Sequence, residues 1–176
     1  MPRSPGGQAD LYPRIAEEYG GALERLARAY EPDPDKRRDL LQEIHVALWR
    51  SLARFDHRCS TRTWVYRVAH NVATSQVIRP KSHAPTFVEP GVLDELPDAV
   101  DDESRIDRQH TLEKVYRLIH DLRPVDRQVM LLYLEDVDAA TTAEITGLSA
   151  GNVATRIHRI KQALAQRFRE KGADRG

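Results

Sequence analysis

One stretch decides how this chain can fold. From Pro80 to Ser104 the residues Pro80, Pro85, Pro90, Gly91 and Pro97 interrupt any helical period, and seven acidic residues lie between Ser82 and Ser104 without a lysine or arginine. Each proline fixes its own φ and removes a backbone donor, so the stretch reads as an extended, acidic and flexible linker over 81–104. It divides the chain into two segments, 10–80 and 105–171, each long enough for a small core, with 1–9 expected to be disordered and 172–176 a tail. Hydrophobic residues make up 40%, aromatics only 6% and charged residues 31%, a balance that suits small helical bundles and disfavours a β-sandwich.

Periodicity supports two all-α units. Leu11, Ile15, Tyr19, Leu23, Leu26 and Tyr30 recur every three to four residues and predict a helix over about 12–30. Asp33-Pro34 supplies an N-cap and a first-turn proline for a second helix, whose stripe is Leu40, Leu41, Ile44, Ala47, Leu48 and Leu52. A polar break from Asp56 to Ser60 precedes a third helix, with Trp64, Val65, Val68, Ala69, Val72 and Ala73 toward a core. Beyond the linker, Ile106, Leu112, Val115, Tyr116, Ile119 and Leu122 mark a helix ending near Pro124, and a short one follows over 125–134. The remainder reads as helix-turn-helix: a short helix over 139–146, Gly147 as left-handed C-cap, Leu148 in the angle, and Ser149 capping a helix to about Arg169.

Charge is zero overall, with 27 basic and 27 acidic residues, yet it is unevenly placed. Arg50, Arg54, Arg58, Arg62, Arg67, Arg79 and Lys81 face only Asp56 across their segment, and Arg156, Arg159, Lys161, Arg167, Arg169 and Lys171 face only Glu170 across theirs. Two basic patches flanking an acidic strip fit two binding modules, although ordinary solvated helix faces give similar blocks. In a helix-turn-helix the second helix enters the major groove, where Arg pairs with guanine and Asn with adenine. Asn152, Thr155, Arg156, His158, Arg159 and Lys161 lie off its apolar stripe of Val153, Ile157, Ile160 and Leu164. Two packed helices joined by a glycine give the same spacing, so the pattern alone leaves a purely structural reading open.

The run Asp39-Leu40-Leu41-Gln42-Glu43, with Trp49-Arg50, Phe55-Asp56 and Thr63 to Asn71, resembles the second conserved region of the small bacterial RNA polymerase sigma factors of the extracytoplasmic-function type, in the sigma-70 family. Gly147 to Leu164 resembles the fourth conserved region, and Leu122 to Val129 its start. The resemblance implies a transcription initiation factor without catalytic activity that binds core polymerase through the β′ clamp and β flap, directs it to promoter DNA and assists melting. It assigns polymerase binding to Asp39, Gln42, Glu43, Trp49 and Arg50. Minus-ten DNA falls to the loop His57, Arg58, Cys59, Ser60, Thr61 and Arg62 with Arg67, His70 and Asn71. Minus-thirty-five DNA falls to Asn152, Ala154, Thr155, Arg156, His158 and Arg159. Ala154 stands where a basic residue is frequent, and Thr141-Thr142 replace a usual Glu-Ile, which predicts a less firmly packed scaffold helix. Lys36-Arg37-Arg38 stand where acids are usual, and Thr61 replaces an aromatic of some relatives. At helical spacing from Val68 and Val72, Trp64 is assigned to the core rather than to base stacking.

The competing readings are a helix-turn-helix regulator whose N-terminal helices dimerise or receive a signal, and an inert adaptor for other helical proteins. The resemblance also allows an anti-sigma factor as partner. Histidines such as His45, His110 and His158 show no metal-ligand spacing, Cys59 is the single cysteine, and no phosphate-cradling glycine loop occurs, so neither cofactor nor metal is expected. No apolar run long enough to span a bilayer and no signal-peptide core is present, which places the chain in the cytoplasm without membrane insertion.

Overall fold

The computed structural model describes the backbone of residues 6–78 and 103–173, and the side chains of 11–76 and 108–169. Seven α-helices and no strand occur among the described residues: α1 (Gly6–Tyr30), α2 (Pro34–Leu52), α3 (Thr61–Ile78), α4 (Glu103–His120), α5 (Pro124–Leu134), α6 (Ala139–Thr146) and α7 (Ala150–Ala173). The expected linker lies outside the described residues up to 102. Helix α1 starts six residues before the expected Tyr12, which leaves Pro13 inside it rather than at its first turn.

Helices α1 to α3 enclose the N-terminal core. Leu40, Ile44, Leu48 and Leu52, four residues apart on α2, are buried against Leu23 and Leu26 of α1 and Val65, Ala69 and Ala73 of α3. Asp33 starts α2 by accepting from the backbone N–H groups of Asp35 and Lys36, with Pro34 in the first turn. The basic run that looked out of place has a local task. Arg37 donates to the carbonyls of Glu31 and Pro32 at 3.0 and 2.6 Å, closing the end of α1, and Arg38 pairs with Asp35. Those carbonyls have no partner inside a helix, so a guanidinium satisfies them where an acid would not. Trp64 stacks on Phe55 with ring centroids 4.8 Å apart, confirming its place in the core.

The C-terminal unit is a helix-turn-helix built as its sequence dictates. Asp138 caps α6 by accepting from the Thr141 N–H at 2.9 Å, Gly147 closes it at φ 78°, and the Asn152 N–H reaches Ser149 Oγ at 3.2 Å to open α7. A Cβ at Gly147 would meet no neighbouring atom, so the requirement for glycine comes from the left-handed backbone itself. Thr141-Thr142 do not loosen α6. Thr141 Oγ1 bonds the capping carboxylate at 2.7 Å, while Thr142 is fully buried with its hydroxyl 3.5 Å from the Val137 carbonyl.

The two units are docked on each other. Ile119 of α4 and Leu131 of α5 join the N-terminal core, and Ala22 and Tyr66 form a second buried cluster with Leu132, Val137 and Ile145. Tyr66 lies two residues from Trp64, about 200° around the helix. It therefore leaves the stripe facing α1 and α2 and is buried against the C-terminal unit.

Candidate functional site

A groove of about 820 Å³ runs between α2 and α3, lined by Asp39, Gln42, Glu43 and Arg50 from α2 and by Asn71, Val72, Ser75 and Gln76 from α3. Spacing explains the α2 side: positions 39, 42, 43, 46, 47 and 50 recur every three to four residues on the flank of the buried Leu40, Ile44 and Leu48 stripe. Glu43 accepts from Gln76 Nε2 at 2.7 Å, which fixes one wall against the other. Four expected polymerase-binding residues thus share one opening. The fifth, Trp49, lies outside that lining: it is 54% exposed with its ring edge-on to Tyr12 at 5.3 Å.

Asn71 was expected to act with the loop preceding α3, yet it lines this groove beside Glu43 and Arg50. It follows Arg62 by nine residues, which on a helix puts the two about half a turn out of phase. Val46, Ala47, Ser75 and Gln76 also line the groove and were missed from sequence. The signal was available for the last two, since Ser75 and Gln76 follow Asn71 by four and five residues on the same helix.

The loop of 57–62 is held by its own contacts. His57 adopts φ 59° with its ring against Phe55 at 4.3 Å, and Arg58 pairs with Asp56 at 2.9 Å on an exposed surface. Ser60 caps α3, its Oγ accepting the Thr63 N–H at 3.0 Å, and Cys59 packs half-buried against the core. Exposed Arg62 donates to the Glu135 carbonyl, and Arg67 forms an ion pair with Glu144 at 2.7 Å. Two expected DNA contacts are thereby engaged by the C-terminal unit.

His70 corrects an expectation. It was assigned to the DNA face, but its side chain is 1% exposed and its Nδ1 lies 3.2 Å from the Tyr30 hydroxyl. At that depth it cannot touch a nucleic acid. Burial pushes its pKa down to about 3 from the usual 6.5, and the other charged group at Tyr30 is Arg127, whose guanidinium lies over that ring at 5.2 Å. The unfolded chain takes up a proton as pH falls through about 6.5, whereas folded His70 does not until about 3. Its contribution is complete above that window and is lost as pH falls through it, at up to about 1.4 kcal/mol per pH unit. His70→Phe should flatten this arm of the stability curve in urea titrations between pH 7 and 4. An arm as steep as in the parent chain would contradict the assignment.

On α7, Asn152, Ala154, Thr155, His158 and Arg159 are exposed, as DNA contact requires. Arg156 is different. Its Nη1 binds Asp126 Oδ1 at 2.6 Å and its Nε binds Asn152 Oδ1 at 2.8 Å, so it ties α7 to α5 and to its own first turn. Arg159 is 59% exposed and keeps a long ion pair with Asp126 at 3.8 Å, so most of its guanidinium faces outward. No group of metal-ligating side chains is present among the described residues, and no described helix is long and apolar enough to cross a membrane.

Comparison with known proteins identifies both units. The family model "Sigma-70 region 2" matches residues 15–81, and "Sigma-70, region 4" matches 112–164. An RNA polymerase sigma-E factor of Streptomyces avermitilis is 32% identical over 87% of this chain and 82% of its own length. The extracytoplasmic-function (ECF) sigma factor SigW of Bacillus subtilis is 24% identical over 93% of this chain and 92% of its own. The ECF sigma-E factor of Escherichia coli is 26% identical over 90% and 86%. Among solved structures, CnrH in complex with the cytosolic domain of CnrY shares the fold, with a TM-score of 0.65 at 21% identity over 90% of this chain and 88% of that one. Two matched regions in the sigma-70 order, with a relative 32% identical over most of both chains, lead to one conclusion: the chain belongs to the extracytoplasmic-function sigma factors of the sigma-70 family, transcription initiation factors that are not enzymes.

Proposed function

We propose that this chain binds core RNA polymerase in the cytoplasm through the α2–α3 groove, directs it to a promoter and assists melting of the minus-ten element. The observation that carries the reading is the convergence of Asp39, Gln42, Glu43 and Arg50 in one open groove beside Asn71. A row of carboxylate, amide and guanidinium groups on rigid helices offers complementary charge to a helical partner, and fixed charge governs encounter and register. The β′ clamp is the proposed occupant, with the β flap meeting region 4. Trp49 adds an exposed aromatic anchor on the same helix.

For melting, bases that leave the stack are captured by a loop, and the loop of 57–62 with Arg67 and Asn71 is proposed for this task. The domain limits that follow are region 2 over 10–80 and region 4 over 105–171, joined by 81–104. Region 4 would read the minus-thirty-five element through Asn152, Thr155, His158 and Arg159, with Ala154 lowering attraction to the backbone. Arg156 fits better as the brace of that surface, since Asp126 and Asn152 hold its guanidinium. An anti-sigma factor is a further proposed partner, in line with CnrH, which was solved with the cytosolic domain of CnrY.

The test separates the surfaces. Glu43→Arg should weaken association with core polymerase at least tenfold, the effect of about 1.4 kcal/mol lost at a charged contact. Arg159→Ala should leave core binding unchanged and weaken protection of the minus-thirty-five element in footprints of the holoenzyme. Equal effects of both substitutions on both readouts would refute the division.

A further inference from the structure

We propose that Asp126 is a positioning residue that sets the sequence selectivity of region 4: from α5 it holds Arg156 and restrains Arg159 of α7, so that binding depends on base edges more than on phosphates. The inference deepens the reading of region 4 given under Proposed function and rests on it. Helix α7 carries no acid of its own between Ala150 and Arg169, so by sequence its charged groups are all basic. Among the described residues, the carboxylate that reaches these arginines is Asp126, in the first turn of α5. Its Oδ1 accepts from Arg156 Nη1 at 2.6 Å and lies 3.8 Å from Arg159 Nη2, while its Oδ2 accepts from Arg123 at 3.0 and 2.8 Å. Asp126 is itself largely buried, so it acts on DNA only through these guanidinium groups.

The two arginines are held to different degrees. Arg156 is 23% exposed and is engaged at both ends of its guanidinium, by Asp126 and by Asn152 Oδ1 at 2.8 Å. Arg159 is tethered at longer range and keeps most of its donors for a ligand. The chain of bonds extends to Asn152. A guanidinium can only donate, so the amide oxygen of Asn152 is the accepting atom and its two N–H donors are left for DNA. Held in this way, Asn152 offers donors toward acceptor edges such as guanine O6 and N7, in place of the donor and acceptor pair that adenine takes.

Cations bind phosphate whatever the sequence, and each such contact releases counterions and steepens the salt dependence of binding. Base contacts carry the selectivity. A carboxylate beside the DNA-facing side of α7 withdraws one guanidinium, biases a second and opposes phosphate by like charge. Ala154, exposed on the same helix, adds no cation in compensation. Sequence-independent attraction is thereby kept low, and a duplex that lacks the right base edges gains little.

The experiment measures holoenzymes, made from core RNA polymerase and the full chain, on a short duplex selected from a random pool by the parent holoenzyme and on the same duplex shuffled, over a salt series. Asp126→Asn keeps an acceptor for Arg156 and removes the charge that restrains Arg159. It should steepen the logarithmic salt slope on the shuffled duplex by about one, the value of one added phosphate contact, and raise affinity there about tenfold near 0.1 M salt. The preference for the selected duplex should narrow about tenfold with it. Asp126→Glu retains the charge and should stay near the parent. In an Arg159→Gln background, Asp126→Asn should no longer steepen the slope, a coupling that lost packing alone does not produce. Arg159→Gln with Asp126 intact should weaken the selected duplex about tenfold and leave the slope on the shuffled one unchanged. A slope on the shuffled duplex that falls by about one in Arg159→Gln means that Arg159 already sits on phosphate, and it overturns the proposal whether or not Asp126→Asn folds. An Asp126→Asn chain that is folded by circular dichroism and matches the parent in slope and preference overturns it equally. Failure of the sigma-factor reading looks different: the parent chain then adds no sequence preference to that of core polymerase alone.

Discussion

Asp126→Ala lowers the unfolding free energy of the chain by about 3 kcal/mol, the range found when one member of a buried charge pair is removed. Asp126 is 8% exposed, sits in the first turn of α5 and joins two helices: Arg123, the residue that precedes α5, donates to its Oδ2 at 3.0 and 2.8 Å, and Arg156 of α7 donates to its Oδ1 at 2.6 Å. Removing the carboxylate leaves Arg156 largely covered and without its anion, which is the larger part of the cost. Burial pushes the carboxyl up, but hydrogen bonds and charge from Arg156 and Arg123 outweigh it and hold its pKa below the usual carboxylate value. The stability it contributes is therefore present above about pH 4 and is lost as pH falls through the lowered folded value. Urea titration of Asp126→Ala against the parent chain measures the first effect. A change below 1 kcal/mol would mean that Asp126 does not hold α5 and α7 together.

Leu48 and Trp49 are adjacent on α2 and should behave in opposite ways. Leu48 is completely buried between α1, α2 and α3, so Leu48→Ala should cost about 3 kcal/mol from lost burial plus the cavity left behind. Trp49 is 54% exposed and loses only an edge-on contact with Tyr12, so Trp49→Ala should cost about 1 kcal/mol at most. The ranking inverts for association: at a temperature where both variants are folded, Trp49→Ala should weaken core polymerase binding by tenfold or more, while Leu48→Ala should bind as the parent does. Such losses are typical of an exposed aromatic that anchors an interface. Parent-like binding by Trp49→Ala would remove that residue from the grip.

What could be read from sequence was local. Asp33-Pro34 and Ser149 announce helix starts, Gly147 announces a left-handed stop, and the four-residue spacing of Leu40, Ile44, Leu48 and Leu52 announces one buried stripe. Each signal acts within a turn or two of its own residue, and each was found where expected. The docking of the two units was not readable. Arg25 and Glu135 are ordinary surface residues until a fold brings them together across 110 positions, and Tyr66 resembles an exposed aromatic until α5 and α6 cover it. The same limit explains His70 and Arg156. Polar side chains beside a basic patch were read as facing DNA, yet one fills a core against Tyr30 and the other braces two helices through Asp126. Lys36-Arg37-Arg38 gave the converse lesson, because a departure in charge at the edge of the grip is explained for Arg37 by two carbonyls at the end of α1.

The groove was legible in part. Asp39, Gln42, Glu43 and Arg50 came from resemblance, but the far wall of Ser75 and Gln76 needed the packing of α3 on α2. Asn71 was paired from sequence with the loop before α3, and it also lines the groove with Glu43 and Arg50. Its position lets one side chain report on both tasks proposed for region 2. Asn71→Ala should impair promoter opening more than core binding if its amide meets a base, and core binding alone if it belongs only to the groove.

The most direct measurement of the central claim is run-off transcription with core RNA polymerase on fragments covering the genome from which the chain comes. The account predicts promoter-dependent transcripts that require this protein, disappear with Glu43→Arg and start a fixed distance from a protected upstream element. Absence of any such transcript with the parent chain, shown to be folded, would contradict it.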